Sequence, residues 1–441
     1  MDTVLLQGLL DAGGVVQLDP RTYFVDQTLV VNVPVTVLGR RGTRIEAAAP
    51  LDELIRVRAQ SRLEDITLSG SAEPYGSARL CRDGLVLESA AFSTFKRVVV
   101  TNFLRDGARA LAGNNDSMLV EQCNFGGCGV VYATEPQPHV PEYQRVTVGP
   151  ATGDGNSLLC TPPRWVRPGC PLRVADLKRV VERIESDRLV LNGPVPAVVP
   201  TWALGVGCGW WEERSGDNNI SVLTLCLFRA NAEVGLALNG LYGHSVINGQ
   251  FDYNAFYGAR IGVFGSEPVL GSVWQRPYFE SNPSGSMLLG AAHDLVVQAP
   301  LHDGASRYDL IGAAAAVRGI HLGSEQELLG TASSALPAKL LGDYWQGSKL
   351  DGPMRFNARA AAITNDVLSA PAAMCQLPGG TVSAIADPGD GWWQRVLYVG
   401  GVTPTAFVSG PTLVVKNGSR TVMQHETIEF AHVGAGRWVE V

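Results

Sequence analysis

The 441-residue chain lacks a long apolar run, since no stretch reaches the ~20 residues that a membrane-spanning helix needs. Its first residues also lack the pattern of a secretory signal. Lysine and arginine form no cluster, and the net charge is −7. Phosphate contacts need grouped cations, so this balance argues against a nucleic-acid partner. We therefore expect neither a membrane span nor nucleic-acid binding.

The eight cysteines lack the arrangement of a metal site. Cys123/Cys128 and Cys160/Cys170 are not the doubled close pairs that zinc requires, and no pair of histidines lies nearby. Free, buried thiols in a protein made in a reducing cytosol are the better interpretation. The sequence also has no glycine-rich phosphate loop, no G-x-S-x-G elbow and no H-E-x-x-H motif. We expect no cofactor and no bound metal.

A short motif recurs along the chain. A Phe is followed three residues later by an Asn at Phe228, Phe251 and Phe279, at intervals of 23 (251 − 228) and 28 (279 − 251) residues. Weaker copies stand at Phe103 and Phe125, 22 residues apart (125 − 103). Repeats of about 20 to 30 residues with strand-like runs indicate a solenoid, in which stacked turns bury a shared apolar face.

The start of the chain predicts a covered first turn. Residues 2–12 have the pattern of an amphipathic helix, with Asp2 as its cap and Gly13 and Gly14 as its stop. Short β-branched runs follow, and the helix would shield the unpaired backbone groups at the end of the stack. We expect a capping helix over 1–13 and the first part of a parallel β-helix over 14–140.

The repeat is interrupted between about Pro141 and Trp211 and then resumes in the same form. We interpret 141–211 as an inserted β domain and 212–340 as the second part of the β-helix. Regular strands with glycine turns over 341–441 predict a C-terminal β-sandwich. The predicted fold class is all-β: a right-handed parallel β-helix with an inserted small β domain and a C-terminal β-sandwich.

The opening segment GGVVQLDPRTYFVDQTLVV resembles the start of the pectate-lyase-like superfamily, whose members often read GG-x-V-x-L-P-x-G-x-Y. Arg21 stands where that motif usually has Gly. The superfamily includes pectin-degrading enzymes, alginate lyases and phage tailspikes. The GDNN segment at 216–219, after the insertion, and the phrases FDYNAFYG and PYFESN resemble the tailspikes more than plant-type pectinases. The opening motif identifies the fold and not the reaction.

The resemblance to phage tailspikes and tail fibres implies a homotrimer, whose terminal sheet ending in GRWVEV would help hold the three chains together. It implies a virion-tail protein, made in the bacterial host cytoplasm and acting outside the cell at the host surface. Its partners would be a bacterial surface polysaccharide and a phage tail or baseplate protein. Because the chain starts at the capping helix, we expect the particle-anchoring head domain in a removed segment or in another protein.

Equivalent residues of stacked turns lie about 4.8 Å apart. The Phe column should point inward, and the residue after each Phe should point outward. Those outward residues are Leu104, Gly126, Arg229, Asp252 and Glu280.

Asp252 and Glu280 would form a carboxylate pair at roughly 5 Å, as in retaining glycosidases, although side-chain reach prevents a stereochemical conclusion. Repulsion would raise one pKa, and Arg229 could keep the other low. A surface charge ladder is the alternative.

The second column, Asn231, Asn254 and Asn282, predicts an internal amide ladder at a corner of the stack. Aromatic residues near the carboxylates are candidates for stacking on sugar rings, although each could equally be packing. These substrate-binding candidates are Tyr253, Tyr257, Trp274 and Tyr278.

A second candidate site lies where the insertion rejoins the β-helix, because pockets favour such junctions. Its residues are Trp210, Trp211, Glu212, Glu213 and Asp217. The alternative is that the tryptophans pack the insertion onto the β-helix and the acids are solvated. His244 has no visible partner, so a structural or exposed histidine is the better interpretation.

The predicted function is that of a phage tailspike or tail fibre that binds and cleaves a capsule or O-antigen polysaccharide. It would act as an endo-glycosidase through Asp252 and Glu280, with Asp217 as a further acid. One alternative is a non-catalytic receptor-binding fibre on the same fold. The other is a polysaccharide lyase, in which Arg229, Arg276 or Tyr278 would neutralise a uronate. The missing export signal and the fibre-like end count against the lyase, and no calcium-binding Asp cluster is recognisable.

Overall fold

A computed structural model divides the chain into two units, each considered by itself. The first comprises Met1–Gly312, Ile320–Ser334 and Leu350–Pro353, and the second comprises Ala313–Gly319, Ala335–Lys349 and Met354–Val441. The structure describes residues 1–71, 79–111, 113–135, 145–147, 151–175, 177–213, 221–239, 243–262, 269–293, 295–298, 300–303, 307–310, 317–318, 321–323, 327–330, 350–351, 359–360, 363–365, 367–368, 374–385, 395–399, 403–423, 426–432 and 437–440.

The chain begins with helix α1, Thr3–Ala12, which buries Leu6 and Leu10. Asp2 occupies the predicted N-cap position, where its backbone carbonyl accepts a hydrogen bond from Leu6 N–H at 2.9 Å, but its side chain makes no capping bond. Its carboxylate instead accepts hydrogen bonds from the Arg21 guanidinium at 2.8 Å and from the backbone N–H of Phe24 at 3.0 Å. Within the described ranges no helix is long and apolar enough to cross a membrane.

Three parallel sheets form the solenoid of the first unit, in which successive turns of the chain add strands to each sheet. The first sheet contains Gly14–Gln17, Val35–Leu38, Ser61–Glu64, Thr94–Lys96, Leu119–Glu121, Val222–Thr224, Ser245–Ile247, Val273–Gln275, Val296–Gln298, His321–Gly323 and Leu350–Asp351. The second contains Thr22–Val25, Arg44–Ala47, Thr67–Ser69, Val99–Thr101, Asn124–Gly126, Leu227–Arg229, Gln250–Asp252, Tyr278–Glu280 and Leu301–Asp303. The third contains Leu29–Val31, Leu51–Val57, Cys81–Leu87, Ala108–Ala110, Trp210–Glu212, Val234–Leu238, Tyr257–Ile261, Gly285–Leu289, Arg307–Leu310 and Glu327–Gly330. The predicted all-β, parallel β-helix fold is confirmed.

Left-handed residues make the corners between these sheets. One group follows first-sheet strands: Asp65, Arg97, Gln122, Leu225, Asn248 and Arg276. Another follows second-sheet strands: Asn102, Gly127, Ala230, Tyr253 and Ser281. A single residue with positive φ re-aims the chain at each corner, and most of these positions are not glycine. The outer faces of neighbouring turns therefore keep a common register.

The Phe column is a continuous aromatic stack inside the solenoid. Phe125, Phe228, Phe251 and Phe279 pair in register along the second sheet. Successive ring centroids are 5.4, 5.1 and 5.0 Å apart. Stacked aromatic rings at this separation add about 0.5–1.5 kcal/mol per pair beyond their burial.

Phe103 does not belong to this column. The residue in register with Phe125 is Val100, and Phe103 lies three residues later, buried beyond the corner. Accordingly Thr101, not Leu104, is the outward neighbour of Gly126. The 22-residue spacing resembled one turn by chance, since the turn from Val100 to Phe125 has 25 residues (125 − 100).

The predicted amide ladder is present. Asn231 Nδ2 donates to Asn254 Oδ1 at 3.0 Å, and Asn254 Nδ2 donates to Asn282 Oδ1 at 3.0 Å. The same amides donate to backbone carbonyls of the preceding turns, as in the 3.1 Å bond from Asn254 to Phe228. Each side chain therefore joins two turns at the corner after the second sheet.

We expect Asn254→Ala to lower the stability of the protein by about 1–3 kcal/mol, because it leaves buried donors and acceptors of two neighbouring turns without partners. The exposed variant Gln298→Ala is the control and should change stability by less than about 0.5 kcal/mol. The measurement is the melting temperature of both variants. Equal melting temperatures would show that the ladder contributes nothing.

A separate nine-stranded sheet interrupts the solenoid. Its strands, in spatial order, are Arg145–Thr147, Val130–Ala133, Trp202–Val206, Pro171–Val174, Leu177–Ile184, Arg188–Leu191, Ser157–Leu159, Ala151–Asp154 and Val198–Val199. An apolar cluster that includes Val131, Val180 and Ala203 from this sheet continues into Phe256 and Tyr257 of the solenoid. The boundaries 141–211 for an inserted domain stay a prediction.

The remaining short strands fall into four sheets. In one of them Val269–Leu270 pairs in parallel with Ala292–His293, and Val317–Arg318 is a further short strand. In the C-terminal region, a six-stranded sheet with parallel and antiparallel pairs contains Arg359–Ala360, Met374–Gln376, Arg395–Val399, Thr427–His432, Trp438–Glu440 and Leu413–Val414. Two three-stranded sheets contain Ile363–Thr364, Val367–Leu368 and Ala384–Ile385, and Gly380–Val382, Thr405–Val408 and Ser419–Val422. These strands share one core, which includes Tyr398, Phe407, Phe430 and Trp438. The division at 340/341 stays a prediction.

Candidate active site on the second sheet

Three charged residues occupy equivalent outward positions on neighbouring strands of the second sheet. Arg229 is in register with Asp252, and Asp252 is in register with Glu280. Adjacent strands of a parallel sheet lie about 4.8 Å apart, so the two carboxyl groups stand on consecutive turns. This is the juxtaposition that the repeat alignment predicts, while the catalytic role of the pair stays a prediction.

The carboxyl group of Asp252 is buried although it belongs to the outer face, with only 3% of the residue exposed. Its Oδ2 accepts a hydrogen bond from the Gln250 side chain at 2.6 Å, and its buried Oδ1 accepts none from any described residue. Burial raises the pKa of Asp252 to about 6, against the opposing effect of the Gln250 bond, and the charge of Glu280 adds to the rise. Asp252 therefore holds a proton well above the usual range of an aspartic acid.

Glu280 has a different environment. Its Oε1 accepts a hydrogen bond from the Tyr253 hydroxyl at 2.7 Å, and its Oε2 accepts one from the Tyr278 hydroxyl at 3.1 Å. Both oxygens are thus held in place by phenol donors. The hydrogen bond to Glu280 raises the pKa of Tyr253. The pair therefore consists of a buried acid with a raised pKa and a second acid whose position is fixed by two hydrogen bonds.

Tyr253 occupies a corner position with a φ of 54°. The same left-handed conformation occurs at the equivalent corners of neighbouring turns, at Ala230 and Ser281, so it belongs to the fold. Here this conformation accompanies a phenol bonded to Glu280 and a ring whose centroid lies 5.8 Å from the Arg229 guanidinium carbon. The corner after Asp252 therefore connects all three charged residues.

Two of the predicted sugar-stacking residues lie in the interior. Trp274 is fully buried and stacks on Phe251 with ring centroids 5.5 Å apart. Tyr257 is buried in the cluster between the solenoid and the nine-stranded sheet. Both are therefore corrected from substrate-binding to packing residues. Tyr253 and Tyr278 are half-buried on the outer side and keep their place as candidates.

The second candidate site is divided by the alternation of its strand. Trp210 points inward, is fully buried and meets Phe125 edge to face at 5.4 Å, so it is also a packing residue. Trp211 is half-buried, with the guanidinium carbons of Arg109 and Arg167 at 5.1 and 4.3 Å from its ring centroid.

The two described acids of this second site have different surroundings. Glu213 accepts a 2.5 Å ion-pair contact from Arg109. Glu212 is fully buried, and its Oε2 lies 3.2 Å from Nε2 of the equally buried His244. His244 thus has a partner that the sequence did not show. Asp217 lies outside the described residues.

Sequence reasoning missed a buried charge cluster between the solenoid and the nine-stranded sheet. Arg167 holds Asp106 with two contacts of 2.7 and 2.8 Å, and it lies 3.1 Å from Glu233. Arg260 lies 2.9 Å from the other oxygen of Glu233. Burial alone would raise the pKa of Asp106, but the charge and hydrogen bonds of Arg167 with the charge of Arg105 lower it to about 2.

The described cysteines are free, and all of them except Cys160 are buried. Burial raises the pKa of the Cys170 thiol and raises that of Cys128 to about 12. In the part of the chain that the structure covers, no three His, Cys, Asp or Glu side chains are grouped as metal ligands would be.

No family model and no curated protein matches the chain. Among solved structures, it is similar to the Dettilon tailspike protein gp208, with a TM-score of 0.45, 11% identity, and coverage of 97% of this chain and 74% of that one. It is similar to PfbA, a surface adhesin of Streptococcus pneumoniae, with a TM-score of 0.39, 10% identity, and coverage of 100% and 94%. It is similar to a mannuronic acid specific polysaccharide family 6 lyase from human gut microbiota, with a TM-score of 0.28, 12% identity, and coverage of 81% and 90%.

The sequence-based resemblance to tailspike β-helix proteins is confirmed as a resemblance of fold. The three neighbours are, by name, a tailspike, an adhesin and a lyase, and likenesses of this size carry no argument about which activity the chain has. Function must be inferred from its own residues.

Proposed function

We propose that the protein is a phage tailspike or tail fibre that binds a bacterial surface polysaccharide and hydrolyses it at the Asp252–Glu280 pair. The observation that carries the proposal is the contrast between the two acids. Asp252 is buried with a raised pKa, and Glu280 is fixed by two phenols. Glycoside hydrolysis uses two acids in different environments, one that gives up a proton and one that attacks the sugar or activates water.

In this mechanism the Asp252 proton passes to the glycosidic oxygen as the bond to the anomeric carbon breaks. Asp252 Oδ1, which accepts no bond from any residue that the structure describes, is the oxygen free to carry that proton. Glu280 then acts on the other side of the reaction, either attacking the anomeric carbon or taking a proton from the water that does so. Water completes the reaction and leaves a new reducing end.

Tyr253 and Tyr278 would hold Glu280 in position and offer the edge of an aromatic platform to the sugar. The raised pKa of Tyr253 counts against this phenol as the base of a lyase, since a base must give up its proton first. The tail location, the homotrimer, and the partner from the phage tail or baseplate are proposed with this function from the resemblance of the opening segment.

The test is incubation with a panel of capsular and O-antigen polysaccharides, following reducing ends and the absorbance near 232 nm of an unsaturated uronate. We expect new reducing ends without absorbance, and a loss of at least about 100-fold in Asp252→Asn and in Glu280→Gln. Glu121→Gln is the matched control, since Glu121 is a half-buried acid on the first sheet paired with Lys96 at 2.9 Å.

Each of the other possible outcomes would support a different interpretation of the protein. Cleavage that survives both substitutions would remove the site, and a rise in absorbance would indicate a lyase. Binding without cleavage would indicate a non-catalytic receptor-binding fibre.

A further inference from the structure

Arg229 has no ion-pair partner among the described residues, although a carboxyl group stands next to it in register. Its side chain is exposed, and its guanidinium carbon lies 5.8 Å from the centroid of the Tyr253 ring. On the neighbouring position Asp252 keeps Oδ1 buried and without a hydrogen bond. The Arg229 guanidinium is therefore an exposed cation that is available to bind an anion from solution.

The other neighbour of Arg229 explains how its side chain is directed. Gly126 is in register with Arg229 one turn earlier, and a Cβ placed on Gly126 would lie 3.2 Å from Arg229 Cγ. The stem of the arginine therefore lies over the bare glycine. Asn124 Oδ1, which is buried and accepts no described hydrogen bond, lies 3.3 Å from the same Cβ position.

These contacts define the Arg229 side of the site. Its floor is Gly126, one wall is Asn124, and the guanidinium of Arg229 is the cation. Beyond it come Asp252 and then Glu280. A sugar bound across Asp252 and Glu280 has a neighbouring sugar in the polymer. That neighbour would lie over Arg229, since adjacent strands of the row are about 4.8 Å apart.

We propose that the substrate is an acidic polysaccharide, in which a sugar next to the cleaved bond carries a carboxylate that binds Arg229. This inference rests on the proposed function and adds the substrate class. A guanidinium matches a carboxylate with two parallel hydrogen bonds, and a charge-assisted pair of this kind is stronger than a bond to a hydroxyl. The chain has a net charge of −7, so an acidic polymer needs a local cation at the point of binding.

The experiment uses one polysaccharide that the protein cleaves and the same polymer after chemical reduction of its carboxyl groups to alcohols. Wild type is compared with Arg229→Gln and Arg229→Lys. The control is Arg41→Gln, which removes another exposed arginine between the strands Val35–Leu38 and Arg44–Ala47, away from the acid pair. Reducing ends report the rate, expressed as kcat/KM.

We expect carboxyl reduction to lower the kcat/KM of the wild type by about 10- to 100-fold, in line with the loss of a charged hydrogen bond. Arg229→Gln should lose a similar factor on the native polymer and almost nothing further on the reduced one. Arg229→Lys should retain part of the preference, and Arg41→Gln should behave as wild type. Non-additivity between the Arg229 substitution and carboxyl reduction is the signature of a direct contact.

Equal rates of the wild type on both polymers would overturn the inference. A loss in Arg41→Gln as large as that in Arg229→Gln would also do so, because it would show a general charge effect. In either case the loss of activity in Asp252→Asn and Glu280→Gln would leave the proposed function standing.

If no polymer is cleaved, the hydrolase proposal fails, and the dissociation constants of the same native and reduced polymers still decide about Arg229. Failure to bind any acidic polymer would then reject the inference.

Discussion

Asp252→Asn is expected to stabilise the protein by roughly 2–3 kcal/mol at pH 8 and by almost nothing at pH 4. The same substitution should abolish cleavage. Asn has nearly the shape of the protonated acid and keeps an acceptor for the Gln250 bond of 2.6 Å. It cannot ionise, so the variant avoids the cost of a buried carboxylate.

The sign follows from the raised pKa. Folded Asp252 has a pKa of about 6, compared with about 3.9 for an unfolded aspartic acid. Below about pH 4 the acid is protonated in both states and costs nothing. As the pH rises from about 4 to about 6, the unfolded chain loses the proton first, and stability falls by about 1.4 kcal/mol for each unit of pKa difference. Above pH 6 the full cost is present.

The measurement is the melting temperature of wild type and variant at pH 4, 6 and 8, with the difference expected to grow to a few °C. Asp65→Asn is a control of opposite sign, because the hydrogen bond from Arg97 lowers the pKa of Asp65. That variant should be slightly less stable than wild type at pH 8. An Asp252→Asn variant that is less stable at pH 8, or equally shifted at pH 4 and 8, would show that Asp252 is not a buried, ionisable acid.

A stabilising substitution that removes activity also separates chemistry from folding. Lost cleavage in Asp252→Asn cannot be ascribed to an unfolded protein if the variant melts at a higher temperature. Such a trade of stability for a reactive group is typical of active sites.

The stacking register could be predicted because the motif repeats with the length of one turn. Phe228, Phe251 and Phe279 carry the same Asn three residues later, and a parallel solenoid brings equal positions together. The pairing of Asp252 with Glu280 follows from that alignment without further information. The prediction that Phe103 belongs to the Phe column was wrong, because one aromatic residue at a plausible spacing does not fix the register.

Which face a residue occupies was harder to predict. Trp210 and Trp211 are adjacent, and period-two alternation requires one to point inward, but the phase of a three-residue strand is not visible in its sequence. Trp274 faces the core for the same reason, one turn beyond the Phe251 ring that it stacks on.

Burial of Asp252 could not be predicted either. It depends on how the side chains of neighbouring turns cover an outward position, and sequence alignment gives only the position. The two phenols on Glu280 illustrate this limit, since Tyr253 reaches it across a corner from the preceding turn. The alignment placed the two acids, and only the side-chain contacts showed that their environments differ.

The charge cluster that contains Arg167 was beyond sequence reasoning because its members are far apart in the chain. Arg167 follows Asp106 by 61 residues and precedes Glu233 by 66. No local pattern marks residues that meet only after the nine-stranded sheet has packed on the solenoid. Such a cluster favours a single arrangement of the two packed elements, because each charged residue finds its partner on the other element.

Arg167→Met is expected to destabilise the protein by about 3 kcal/mol or more. Removing one member of a buried ion pair leaves the partner charge uncompensated, which typically costs 3–5 kcal/mol. Asp106 and Glu233 are fully buried, and Arg167 contacts both. Arg105, 3.3 Å from Asp106, and Arg260, 2.9 Å from Glu233, retain part of the compensation, which favours the lower end of that range.

The melting temperature at pH 7 and pH 3 separates this charge effect from a simple loss of packing. In the wild type, the pKa of about 2 means that Asp106 adds stability above about pH 4, which is lost as the pH falls toward 2. Without Arg167 the burial of Asp106 raises its pKa. Lowering the pH then protonates Asp106 and removes the cost of its buried charge, so the variant differs less from wild type in melting temperature.

Asp106→Asn added to Arg167→Met should restore part of the stability at pH 7. Arg183→Met, in an exposed pair with Glu185 at 2.6 Å, should cost under about 1 kcal/mol at either pH. If Arg167→Met behaves like that control, the cluster does not fix the nine-stranded sheet on the solenoid.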